Sequence, residues 1–287
     1  MMTNNMTQLL IALVAVIAAP VVGALLQGCD RIINARMQSR VGPPLLQPVY
    51  DVLKLLGKEG VMLNRTQILY AWLHLFFLML ATVLLALGQD MIMTLLVLAV
   101  STIALILGGM CVRSPYSRIG SQREIMQMLS YEPILVMLVI GIFLTNGSFM
   151  ARDITLAGKP LLLTLPLIFI AFLLVTAIKL KKSPFDLATS HHGHQEIVKG
   201  ITIEYAGPYL AILEIAHWYE TALVFLVLAA FWATSWKIGM LIAIIAYGIE
   251  ILFDNLCARL TYQWMLTHMW TVGLGLSVTN LIWLYWK

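Results

Sequence analysis

The sequence predicts an all-α, polytopic transmembrane helix bundle of about eight helices with both termini on the outer side. Three observations carry that prediction. Of the 287 residues, 61% are hydrophobic and 11% charged, and the mean hydropathy is +0.89; a soluble domain carries roughly 25% charged residues. The apolar residues gather into unbroken runs close to the roughly 20 residues that cross about 30 Å of hydrocarbon. The Lys and Arg residues, finally, fall mostly in alternate connections.

The runs lie at approximately 8–27, 67–87, 91–112, 125–145, 161–179, 209–233, 237–253 and 265–286. Alternating ten-residue strands are absent from this pattern, and lipid admits only helices or closed barrels. The residues before the first run, Met1 to Thr7, hold no Lys or Arg, and no small-residue cleavage signal with a soluble domain follows, so the run is expected to remain as a helix. No internal repeat or low-complexity linker divides the chain. A single integral membrane domain over 1–287 is expected, with long inward loops at about 28–66 and 180–208.

Orientation follows from the basic residues. Arg31, Arg36, Arg40, Lys54, Lys58, Arg65, Arg113, Arg118, Arg123, Lys179, Lys181, Lys182, Lys199 and Arg259 fall on one side, and Arg152, Lys159, Lys237 and Lys287 on the other. The positive-inside rule places the first group in the cytoplasm. Membrane orientation thereby accounts for the net charge of +4, and nucleic acid is not an expected partner. Cys29, Cys111 and Cys257 are widely separated and form no C-x-x-C pair, so thiolates supply neither an iron–sulfur cluster nor a zinc site in this chain.

Several acids stand where lipid makes them costly. Glu132 precedes Pro133 inside the fourth run; a carboxylate there must be protonated, paired or hydrated, and the proline removes a backbone hydrogen bond and can open a polar notch. An acid snorkelling to the interface is the plainer alternative. Glu214, His217 and Glu220 recur at i, i+3 and i+6, spread over about 120° of one face, as either a proton path or a polar seam between helices. Glu250 and Asp254 share a face four residues apart, either coupled in titration or a hydrated helix end. The stretch Ser190-His191-His192-Gly193-His194-Gln195-Glu196 has three imidazoles and a carboxylate, but the spacing is not that of a helical zinc site. A proton-exchanging or subunit-docking loop is the stronger reading.

Four motifs occur in order: Ser39-Arg40-Val41-Gly42-Pro43-Pro44; Gly120-Ser121-Gln122-Arg123-Glu124 with Ser130-Tyr131-Glu132; Ser183-Pro184-Phe185-Asp186-Leu187; and Glu204-Tyr205-Ala206-Gly207-Pro208. Together they resemble the membrane subunit that anchors the quinone-reducing arm of respiratory complex I, and the matching subunit of energy-converting [NiFe] hydrogenases. The resemblance spans about 30–260. It implies that Arg40, Gly42, Pro43, Pro184, Phe185 and Asp186, with Arg123, Glu124, His191, His192, His194 and Glu196, face redox subunits at the inward junction. It places Glu132 and Glu204 at the entrance of a proton path, for which Glu214, His217, Glu220, Glu250 and Asp254 are the further candidates by their helical spacing.

The acidic cluster that follows P-F-D in complex I is replaced here by a histidine-bearing stretch, which resembles the Ech-type and carbon-monoxide-induced hydrogenases. A glutamate of the sixth helix aligns with Glu214 only after a shift of about two residues. The function expected is the membrane anchor and ion-translocating subunit of such a hydrogenase, coupling ferredoxin-linked proton reduction to H⁺ or Na⁺ export. The alternatives are the quinone-site subunit of complex I and a formate hydrogenlyase membrane subunit. No catalytic residue or metal ligand is expected in the chain itself. The Ni–Fe centre and iron–sulfur clusters belong to the expected partners: hydrogenase large and small subunits, a ferredoxin-like iron–sulfur subunit and an antiporter-like membrane subunit, with ferredoxin as electron donor. The location expected is the cytoplasmic membrane of a bacterium or archaeon.

Overall fold

A computed structural model describes residues 2–61, 64–156, 158–185 and 200–286. Its helices are α1 (Met2–Met37), α2 (Gln47–Leu56), α3 (Arg65–Ala86), α4 (Met91–Met110), α5 (Pro115–Asn146), α6 (Ala151–Leu156), α7 (Leu161–Thr164), α8 (Pro166–Lys179), α9 (Pro208–Ala230), α10 (Trp236–Leu256), α11 (Tyr262–His268) and α12 (Leu274–Tyr285). Among the described residues the only β pairing is an isolated bridge between Asp90 and Met150. Six helices (α1, α3, α4, α5, α9 and α10) are long and apolar enough to cross a bilayer.

The other two expected spans are helical but interrupted. The 161–179 run breaks at Leu165 (φ −124°, ψ 49°), where α7 ends and Pro166 opens α8; a residue before proline is pushed out of the helical region. Asn280 of α12, fully buried, repairs the break. Its Oδ1 accepts from Leu167 N at 2.8 Å and Ile168 N at 3.2 Å, and its Nδ2 donates to Thr164 O at 3.1 Å. Within a bilayer, such freed backbone groups need a protein partner. In the last span, a π-helical segment Met269–Gly273 joins α11 to α12.

Two helices extend beyond their apolar runs. Capped by Ser114 with Pro115 at its first position, α5 begins ten residues earlier than expected, because hydropathy marks the lipid-soluble part of a helix rather than its start. Arg118, Arg123 and Glu124 are consequently helical rather than in a loop. The inward loop expected at 28–66 is likewise helical through Met37 and again over α2.

Around α9 the bundle is tight. It packs on α1, α3 and α10, and a Cβ on Gly23 of α1 would come within 2.1 Å of the Trp218 carbonyl oxygen, an approach only glycine permits. On the other side, α5 and α8 share a core that includes Ile134, Leu138, Ile168 and Phe172.

Candidate functional site: buried ion pairs joined by a polar cavity

The end of α8 carries Lys179 into the bundle. Its Nζ lies 3.1 Å from Glu220 Oε1 of α9, with the two side chains 10% and 15% exposed. The Lys179 ammonium also sits 4.2 Å above the ring centroid of Tyr131, a favourable cation–π arrangement when desolvated. On the other carboxylate oxygen, Glu220 Oε2 stands 3.7 Å from His217 Nδ1, one turn back along α9. The pair holds because each ion gains a charged partner; a lone ion at this depth would be strongly disfavoured.

Further titratable groups surround this pair. Glu124 of α5 lies within electrostatic reach of Lys181, Glu220, Lys179 and His217, and Glu132 within reach of Lys179. His74 of α3 is buried, with Nδ1 2.9 Å from the Ser101 carbonyl oxygen of α4 and 2.8 Å from Ser101 Oγ. Glu220 lies within its electrostatic range as well.

A second cluster lies toward the basic face. Lys182 Nζ donates to Asp30 Oδ1 of α1 at 2.5 Å and sits 5.3 Å from the Tyr247 ring centroid. Asp254 Oδ1 accepts from Ser183 N at 2.9 Å. Glu250 is 3% exposed and interacts electrostatically with both Lys182 and Asp254. The hydrated helix end admitted for this pair is therefore excluded at Glu250, which faces the core.

A cavity of about 340 Å³ joins the clusters. It opens beside Arg40, Val41 and Pro43, passes Asp30, Lys182 and Asp254, and reaches His217 and Thr221. Beyond His217, Lys179 and Glu220 border a smaller, mainly apolar cavity of about 70 Å³. The first cavity is polar and large enough to admit water as far as an imidazole 3.7 Å from the innermost carboxylate, an arrangement that can pass protons between the basic face and Glu220.

The expected proton-path residues are brought together selectively. His217 and Glu220 meet, and Glu250 and Asp254 share a second cluster. Among the described residues no hydrogen bond or ion pair joins Glu204 or Glu214 to either cluster. For Glu132 the neighbouring cation is Lys179; Arg123 stands nine residues earlier on α5, about 13 Å along the axis, and is exposed. The notch expected beside Pro133 is filled: the carbonyl of Leu129, left without its helical donor by the proline, accepts from Trp270 Nε1 at 3.2 Å.

The junction residues also separate. Val41 is 94% exposed beside Gly42 and Pro43 on the basic face, and Arg40 bonds Gln38, which in turn bonds Asn255 at 3.1 Å. Phe185, expected to face a partner, is instead 3% exposed within this chain's core, and its carbonyl accepts from Gln127 Nε2 at 2.7 Å. Pro184 is likewise folded in, its carbonyl accepting from Leu260 N at 3.0 Å. Glu124 is half-buried on α5, within electrostatic reach of the Lys179–Glu220 pair. Asp186, His191, His192, His194 and Glu196 lie outside the described residues; among the described residues no three His, Cys, Asp or Glu side chains converge as a metal site.

Sequence reasoning missed Lys179, Lys182, Asp30 and His74. Lys179 ends an apolar run and Asp30 extends one, so both read as loop charges, although a cation adjoining a run that faces an intramembrane acid is itself a pairing signal.

Fold and site together define a multi-pass helical membrane subunit whose buried ion pairs are connected to one face by a polar cavity. The chain belongs to the NADH dehydrogenase family, whose model matches residues 9–285, and its relatives there are subunits of NADH-quinone oxidoreductase. One of these, from Geobacillus kaustophilus (strain HTA426), is 29% identical over 304 aligned residues, covering 94% of this chain and 90% of that protein. The corresponding protein of Dehalococcoides mccartyi (strain ATCC BAA-2266 / KCTC 15142 / 195) is 27% identical over 310, covering 98% and 87%. A chain of the membrane-bound sulfane sulfur reductase, an archaeal respiratory membrane complex, shares the fold with a TM-score of 0.87 over 97% of this chain and 99% of that one, at 24% identity.

Proposed function

We propose that the chain is the membrane anchor and ion-translocating subunit of an energy-converting [NiFe] hydrogenase, in which ferredoxin oxidation drives proton reduction and H⁺ or Na⁺ is exported. The observation that carries ion translocation is the continuity from the cavity mouth at Arg40, Val41 and Pro43 to His217, and from His217 to the Glu220–Lys179 pair. Redox subunits docked over the mouth would alter the charge felt by Asp30, Lys182 and Glu250. A proton arriving at His217 would loosen the hold of Glu220 on Lys179, and the freed ammonium would then act on Glu132. The Ni–Fe centre, the iron–sulfur clusters and the ferredoxin site belong to partner subunits in this reading, and an antiporter-like subunit would take up the ion beyond Glu220.

The hydrogenase branch is favoured by the histidines of 188–196 in place of an acidic cluster. The quinone-site subunit of complex I is the second reading, favoured by the names of the relatives, which are NADH-quinone oxidoreductase subunits. The complex purified in mild detergent separates the two: hydrogen formation from reduced ferredoxin without added quinone supports the first, and electron transfer that requires membrane quinone supports the second. Ion uptake into sealed vesicles that survives Glu220→Gln unchanged would remove Glu220 from the path in either.

A further inference from the structure

On the face opposite the basic one, the outward ends of α3, α5, α9 and α10 with the short helices α6 and α7 enclose a cavity of about 420 Å³. Its lining is apolar apart from Thr155. Small side chains, Ala151, Ala229, Ala230 and Ala233 among them, leave the space unfilled. Leu226, 43% exposed, and Trp236, 72% exposed, stand at its rim, so the cavity opens sideways at the level where tryptophan marks the membrane interface.

An apolar cavity stays dry in water, but here the neighbouring solvent is hydrocarbon. Lining atoms facing an empty space forfeit dispersion contacts that an entering acyl chain restores. A transmembrane helix is a poor occupant: one turn, roughly 10 Å across and 5.4 Å tall, already takes up about this volume.

Basic residues adjoining the lining in sequence select the headgroup. Of the four basic residues on this side, Arg152 adjoins Ala151, Lys237 adjoins Trp236, and Lys159 lies two residues before Leu161, all three neighbours being lining residues. Arg152 is held by Asp153 at 3.7 Å, and Asp90 accepts from Ile92 N as the cap of α4. Lys159 and Lys237 are exposed and carry no ion pair among the described residues. We infer that this cavity binds an anionic phospholipid of the outer leaflet, with one acyl chain among Ala230, Leu226 and Met240 and the phosphate on Lys159 and Lys237.

The test uses the assembled complex, purified in mild detergent and exchanged into phosphatidylglycerol or phosphatidylcholine. Native mass spectrometry should find phosphatidylglycerol retained on this subunit, and Lys159→Glu with Lys237→Glu should reduce its preference over phosphatidylcholine about tenfold. Ala230→Phe should expel the lipid while the complex stays assembled. As a check independent of any variant, phosphatidylglycerol with a diazirine at mid-chain should label peptides within 226–240. Labelling spread evenly over the lipid-facing helices, retention unaffected by Ala230→Phe, or crosslinking of residue 230 to another subunit's helix would overturn the acyl site. Unchanged selectivity in the lysine variant would overturn the headgroup assignment.

Discussion

Lys179 Nζ and Glu220 Oε1 face each other at 3.1 Å across α8 and α9 with scarcely any solvent between them, so the two charges are interdependent. Glu220→Leu alone should strand the ammonium and lower complex stability by about 3–5 kcal/mol, whereas Glu220→Leu with Lys179→Met should recover most of the loss. Thermal unfolding of the purified complexes checks this. A double variant as unstable as the single ones would mean that the residues are not partners.

Glu132 and Glu220 both feel Lys179. If the proposed function holds, Glu132→Gln or Glu220→Gln should each slow ferredoxin-driven ion uptake about tenfold, equivalent to about 1.4 kcal/mol. Combined, they should fall well short of the product of the single effects, because groups sharing a partner are not additive. The dye-linked hydrogenase activity that the proposed function assigns to partner subunits should remain in all three. Multiplicative losses would show two independent acids.

Phe185 and Val41 come from motifs of one resemblance yet sit in opposite environments, 3% and 94% exposed. Phe185→Ala should cost about 3–5 kcal/mol of this chain's own stability through the cavity it leaves. Val41→Asp should leave melting unchanged but, in the proposed function, weaken retention of the soluble arm. Co-purification and melting curves on both variants separate the roles; the reverse pattern would refute them.

Trp270 caps the carbonyl that Pro133 leaves without a donor. Trp270→Phe should destabilise the chain by about 1–3 kcal/mol. In a Pro133→Ala background, where the helix supplies its own donor, the hydrogen-bonding part of that loss should vanish. An identical penalty in both backgrounds would assign the indole a packing role only.

The two faces of the bundle can be placed with a membrane-impermeant maleimide on right-side-out vesicles of a cysteine-free chain. Lys237→Cys should be labelled and Val41→Cys protected until the vesicles are opened. The opposite result would invert the orientation.

Much of this architecture is legible in the sequence because lipid penalises exceptions. All eight apolar runs are helical, and Glu220 and Glu250 stand out as acids that only pairing or burial explains. Illegible are features that depend on where a helix ends or on what lies opposite it. Asp30 and Glu124 belong to helices running past their hydrophobic runs, so they read as loop residues. His74 is a lone imidazole in an apolar run, and only the Ser101 carbonyl across from it accounts for its place. Phe185 carries a motif shared with docking loops, but a motif does not specify which way a ring turns. The break at Leu165 is foreshadowed by Pro166, whereas its repair by Asn280 links positions 112 to 116 residues apart in sequence.

The mouth of the larger cavity is built from the same Arg40–Pro43 loop that presents Val41 outward. In the proposed function, a soluble arm seated there would also be a stopper. A chain inserted into the bilayer before such an arm arrived would expose a polar cleft on its basic face, with His217 at the bottom and only the Glu220–Lys179 clasp and an oily chamber beyond it. Order of assembly would then become a matter of keeping the membrane sealed, with the arm attached before any ion-conducting neighbours are joined.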